Sequence, residues 1–178
     1  AEEGIRDRSP SRGLGDVYKR QDMGVQLIVF GQGDPKYIEY FTWAKEQWPG
    51  QLGFSSDYNE PTASAVFAGA DMYLMPSRFE PCGLSQMMAM RYGTVPIVHE
   101  TGGLKDSITD SGDGKGNGFT FQTYDTQDML NSVHRAIYAY NESKDGWKVL
   151  VERAMACDNS WGRSANDYIR LYKQLINS

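Results

Sequence analysis

At 178 residues and 20.0 kDa the chain is long enough to bury one substantial core. Its 40% hydrophobic and 23% charged residues are the balance of an ordinary soluble globular domain. A net charge of −5 and a pI near 5.0 exclude the broad basic field of a nucleic-acid binder, so phosphate groups would have to be met by local donors. Two cysteines, Cys82 and Cys157, make neither a disulfide framework nor a metal cluster, and fit reduced thiols in a cytoplasmic protein. No apolar run approaches the ~18 residues of a membrane span, and no signal-peptide h-region is seen, so no membrane partner is expected.

Residues 1–21 hold five basic and four acidic side chains, four helix-breaking residues (Gly4, Pro10, Gly13, Gly15) and no regular period. They read as a disordered or non-native leader, with one domain over 22–178. The phrase from Ser9 to Gln21 looks like the linker-derived read-through found at the ends of sequences from metagenomic fragments. A functional basic arm is the alternative.

Residues 25–30 form an apolar run that ends in Gly31-Gln32-Gly33-Asp34, a strand followed by a βα turn. Tyr37, Phe41, Ala44 and Trp48 recur at helical spacing until Pro49-Gly50. Leu52–Ser55 is a second strand, and 61–67 a short helix with Asn59 as its N-cap. Residues 71–76 make a third strand, followed by a turn around Glu80 and a Met-rich helix through Tyr92. A fourth strand covers 95–98 and a fifth Phe119–Phe121, separated by a loop at 110–117 whose three glycines and two aspartates predict flexibility. Apolar faces at Met129/Val133/Ala136, Trp147/Leu150/Ala154 and Tyr168/Tyr172/Ile176 complete a helical C-terminal third. Strands alternating with helices at these lengths predict an α/β fold with a Rossmann-like, doubly wound parallel sheet.

Two runs carry the chemistry. Pro76-Ser77-Arg78-Phe79-Glu80-Pro81-Cys82-Gly83-Leu84-Ser85-Gln86 and Thr101-Gly102-Gly103-Leu104 each lie where a strand stops and a helix begins, the place where open α/β sheets build ligand sites. The first joins a carboxylate to a glycine. The second offers backbone N–H groups to an anion. Together they point to a phosphorylated sugar. His99 and His134 lack metal-ligand spacing and read as structural, Met87, Met88 and Met90 read as helix packing, and nothing calls for a metal or another cofactor.

These two runs, with Asp158-Asn159-Ser160-Trp161, Gly31-Gln32-Gly33-Asp34 and Gly69-Ala70-Asp71, resemble the C-terminal half of bacterial glycogen synthases, a pattern shared with plant starch synthases. The likeness runs from about Gly24 to the end. It implies one half of a two-domain GT-B glycosyltransferase, transferring glucose with retention from ADP-glucose to the non-reducing end of an α-1,4-glucan. It also implies an acceptor-binding N-terminal domain absent here, which leaves the fragment inactive alone.

In that resemblance Glu80 meets the donor sugar and supports charge at its anomeric carbon. The other reading of Glu80 is an acid held by a helix dipole. Cys82 and Gly83 would present N–H groups to sugar or phosphate, with Cys82 no nucleophile because no histidine is near it in sequence. Leu84 is either site wall or core. Thr101, Gly102 and Gly103 would meet the diphosphate or sugar edge, or else form a turn that needs glycine for backbone reasons alone. Tyr58 would cover the nucleotide base, or pack on the core as a loop tyrosine. Gly31 and Gly33 would let the first turn approach the nucleotide, or serve simply as the glycines that almost any βα turn can use.

Two departures stand out. Many related transferases carry a second glutamate eight residues after the first; Met88 stands here, as glycogen and starch synthases also depart there. The Arg and Lys that the family places on the donor phosphates have no match within 1–21. The rival readings are a GT-B enzyme using a UDP- or GDP-sugar and a non-catalytic nucleotide-binding domain.

Overall fold

The computed structural model describes residues 23–176; the expected leader at 1–21 lies outside them. Strand β1 (Leu27–Phe30) leads into α1 (Pro35–Gln47), where the Asp34 side chain accepts from the Lys36 N–H at 3.0 Å and Pro35 opens the first turn. Strand β2 (Leu52–Ser55) precedes α2 (Glu60–Gly69), capped by Asn59 through the Thr62 N–H at 2.9 Å. Then come β3 (Met72–Met75), α3 (Ser85–Arg91), β4 (Val95–His99), α4 (Gly102–Ser107) and β5 (Phe119–Phe121). Helices α5 (Thr126–Glu142), α6 (Lys144–Ala156) and α7 (Trp161–Ile176) follow.

All strand pairs are parallel: Leu27 faces Leu52, Met72 faces Val95, and Ile97 faces Phe119. The backbone ladder divides, however, into a β1–β2 pair and a β3–β4–β5 sheet. Side chains bridge the two. Phe30 of β1 and Tyr73 of β3 both pack on Ala63, Phe67 and Ala89, so α2 and α3 join what hydrogen bonds do not. Among the described residues β1 pairs with β2 alone, and Ile28 on it is 54% exposed.

Strand β4 is buried along its whole length, as a strand covered on both faces must be. Its alternation sorts the core in two. Val95 and Ile97 pack with Phe119, Val133, Ala136, Trp147 and Leu150. Val98 packs with Met90, Leu104, Ile108 and Ala154 on the other side. Helix α6 contributes to both clusters. This is the doubly wound arrangement expected, and it brings the loops after β1 to β4 to one end of the sheets.

The loop at 110–117 departs from the flexibility its composition suggests. Asp110 accepts both Arg135 guanidinium nitrogens at 2.8 Å and the N–H groups of Gly112 and Thr120, each at 2.8 Å. Asn117 accepts from the Thr109 N–H at 2.7 Å and donates to the Ser107 carbonyl at 3.0 Å. Burial works to raise the Asp110 pKa, but the Arg135 fork and the two N–H groups outweigh it and bring it to about 2. A carboxyl depressed from its unfolded value of 3.8 lends stability that is complete above about pH 4 and is lost as pH falls toward 2. In urea unfolding between pH 7 and pH 2.5, Asp110→Asn is therefore expected to be less stable than wild type at neutral pH and to show a flatter acid limb. An acid limb as steep as wild type would rule this out.

Candidate functional site

The Pro76–Glu80 stretch leaves β3 and is pinned at its start by His99, the last residue of β4. The His99 Nδ1–H donates to the Ser77 carbonyl at 2.8 Å, and its ring stacks on Phe121 at 5.3 Å. Helix α3 begins only at Ser85, so Glu80 lies five positions ahead of it, beyond the reach of a first-turn dipole contact. Glu80 is half-buried, and no described residue donates a hydrogen bond to its carboxylate. Its backbone, by contrast, is anchored: the Glu80 carbonyl accepts from the Gly103 N–H at 3.1 Å.

That bond makes the two motif runs one body. A Cβ on Gly102 would stand 2.1 Å from the Glu80 carbonyl oxygen, and one on Gly103 1.9 Å from the Cys82 carbonyl oxygen. No L side chain fits between loops that touch backbone to backbone. Gly102 also sits at φ +44°, and Gly83 at φ +70°, where an added Cβ would stand 2.7 Å from the Gln86 amide and 3.0 Å from Leu104. Thr101 occupies the N-cap of α4, yet its hydroxyl caps nothing. Cys82 is an exposed free thiol, and Leu84 is 63% exposed, which removes it from the core.

Gly31 and Gly33 differ in kind. A Cβ on either would meet nothing within 4 Å, so both border open space. The Gly31 N–H donates to the Ser55 carbonyl at 3.1 Å and ties the ends of β1 and β2 together. Tyr58, beyond β2, leans one part of its ring on Phe30 at a centroid distance of 5.3 Å and leaves 60% of itself exposed. It is a loop ring supported from beneath, with an open face.

Tyr73 links these parts, and strand patterning alone did not single it out. Burial raises its phenol pKa; the nearby Ser85 hydroxyl works the other way, and the proximity of Tyr58 and Glu80 raises it further. The Tyr73 hydroxyl therefore stays protonated under the Glu80 loop, within electrostatic reach of both residues. A polar tip on a residue of β3, in a run otherwise read as apolar, was the signal available. An open groove of about 630 Å³ lies elsewhere, lined by Glu100, Asp110, Thr120, Asp128 and Arg135 among others. Those groups largely satisfy one another through the Asp110–Arg135 pair, Thr120 on Glu100 at 2.6 Å, and Asp128 on the Gln122 and Thr123 N–H groups. Among the described residues no His, Cys, Asp and Glu cluster could hold a metal ion, and no helix is long and apolar enough to cross a membrane.

Residues 14–146 match the family model for glycosyl transferases group 1. The chain belongs to that family. Within it, glycogen synthases are similar: that of Geobacillus thermodenitrificans is 47% identical over 154 residues, which cover 85% of this chain and 32% of that protein. The Clostridium beijerinckii glycogen synthase is 44% identical over 153 residues, again 85% of this chain and 32% of the other. The catalytic domain of starch synthase IV from Arabidopsis thaliana, solved bound to ADP and acarbose, superposes with a TM-score of 0.80 at 35% identity, covering 95% of this chain and 37% of that one. Sucrose-phosphate synthase from Thermosynechococcus elongatus, at 22% identity and a TM-score of 0.67, shares the fold. This group 1 glycosyl transferase chain spans about a third of the length of the curated relatives it matches.

Proposed function

We propose that this chain is the donor-binding, C-terminal half of a glycogen or starch synthase. In the whole protein it would transfer glucose, with retention, from ADP-glucose to the non-reducing end of an α-1,4-glucan. The observation that carries the reading is the Glu80 carboxylate: half-buried, free of any described hydrogen-bond donor, and held on a backbone locked to the Thr101 turn. As the bond from the anomeric carbon to the diphosphate oxygen breaks, positive charge grows on the sugar, and a fixed carboxylate there lowers the barrier. The bond that forms joins the anomeric carbon to an acceptor hydroxyl oxygen. The hydroxyl proton is released and ADP departs. Tyr58 would lie on adenine, Gly31 and Gly33 would border the nucleotide, and Thr101, Gly102, Cys82, Gly83 and Leu84 would line the phosphate and sugar. Gly103 would hold that wall in place.

The acceptor site would come from an N-terminal domain, and the Arg and Lys for the diphosphate from a strand-loop near the start of this half that residues 1–21 do not match. Helix α7 offers a cover for it: Trp161, Tyr168, Tyr172, Leu175 and Ile176 are all more than half exposed, and the helix buries no side chain among the described residues. A cytoplasmic location, with Cys82 and Cys157 reduced, suits this role.

The test has two arms. Calorimetry on this chain is expected to show ADP binding more tightly than UDP or GDP. With ADP-glucose and a glucan primer the chain alone is expected to make no glucan, because one cleft wall cannot orient donor and acceptor, an effect worth several kcal/mol. Preference for UDP or GDP, or synthesis by the isolated chain, would overturn the corresponding part.

A further inference from the structure

Gln86 is fully buried and is the second residue of α3. Nε2 donates to the Gly83 carbonyl at 2.8 Å and to the Ser107 hydroxyl at 3.0 Å. Ser107 closes α4, and its Oγ donates to the Gly103 carbonyl at 2.7 Å. The direction of each bond follows from the partners. A carbonyl only accepts, and the Ser107 proton is committed to Gly103, which leaves its oxygen to accept from Gln86. Meanwhile Gln86 Oε1 is buried with no partner. An orphaned buried acceptor is destabilising, and a Met or Leu would fill the same space without it. What the amide contributes is the pair of bonds through Nε2.

Those bonds complete a ring. Glu80 is tied to Gly103 by the Gly103 N–H, Gly103 to Ser107, Ser107 to Gln86, and Gln86 to Gly83, with the chain from Glu80 to Gly83 closing the circuit. We propose that Gln86 and Ser107 are positioning residues that clamp both ends of the Glu80–Gly83 segment onto the Thr101–Gly103 turn and so aim the Glu80 carboxylate. The role rests on the reading of Glu80 given above; the clamp itself does not.

Gln86→Met keeps length and approximate volume but removes both Nε2 bonds, and Ser107→Ala removes the two ring bonds of its hydroxyl from a half-buried site, so the second variant serves if the first fails to fold. In this chain, amide hydrogen exchange followed by NMR is expected to accelerate at Gly103 by about tenfold or more in either variant, while the Val95 amide, bonded to the Asp71 carbonyl, keeps its rate. In the intact synthase, kcat is expected to fall by about 10–100-fold with donor KM moving less than about threefold, since a misaimed group costs rate more than affinity. The double variant is expected to be no worse than Gln86→Met alone, as members of one network are not additive. Equal acceleration at Gly103 and Val95, or additive losses in the double variant, would reduce Gln86 to a core residue and overturn the clamp. A failure of the Glu80 reading shows separately, as a near-normal kcat for a Glu80 variant while the Gly103 exchange result stands.

Discussion

Replacing Glu80 by Gln in the intact synthase is expected to lower kcat by on the order of 10²–10³ while leaving donor affinity nearly unchanged. The amide is isosteric with the carboxylate and still bonds sugar hydroxyls, so the ground state loses little. On the proposed chemistry the transition state would lose a fixed negative charge beside a developing cation, at a residue whose half-burial limits screening by water. Glu80→Asp keeps the charge but retracts it by one methylene, and is expected to fall between the two. Steady-state kinetics with ADP-glucose separates the cases. A Gln variant whose kcat is near wild type, or whose defect lies wholly in KM, would remove Glu80 from the chemistry and leave a binding role.

Gly103→Ala is expected to cost ~3 kcal/mol or more in stability, because its methyl group would stand 1.9 Å from the Cys82 carbonyl oxygen, a backbone atom that cannot rotate aside. For a domain of this size such a loss lowers Tm by about 6–12 °C. Gly33→Ala is the matched control: its Cβ meets nothing within 4 Å, so its stability is expected to stay within about 0.5 kcal/mol of wild type. Thermal unfolding of the three proteins side by side decides the matter. Equal Tm values would mean that the two loops separate readily and that their contact does not define the site.

The five strands and the order of helices were legible because each strand is a short apolar run closed by a turn, and each long helix has a clear apolar face. Two kinds of feature were not. The first is pairing across distance: Asp110 sits among glycines that suggest a loose loop, and the Arg135 fork that restrains it lies 25 positions away on another helix. The break between β1–β2 and β3–β4–β5 belongs here too, since each strand reads as an equal member of one sheet. The second is the reason for a residue already noticed. Gly31 and Gly103 both read as glycines that either let a ligand approach or serve a turn for backbone reasons alone. Only the fold reveals that one borders open space and the other is filled by a neighbouring loop. Gln86 went unremarked at the end of a motif whose other members carry the recognisable chemistry.

The interlocked loops also limit how this scaffold can be re-engineered. Transplanting the Glu80 segment from a transferase with another sugar preference, while the Thr101 turn stays native, sets a foreign backbone against Gly102 and Gly103, where an added Cβ would stand only 2.1 and 1.9 Å from a carbonyl oxygen. The same holds for a transplanted turn. On the proposed reading of the site, donor selectivity in this framework is a property to exchange as a two-piece cassette, residues 76–86 together with 99–107, because the two pieces are hydrogen-bonded and packed backbone to backbone.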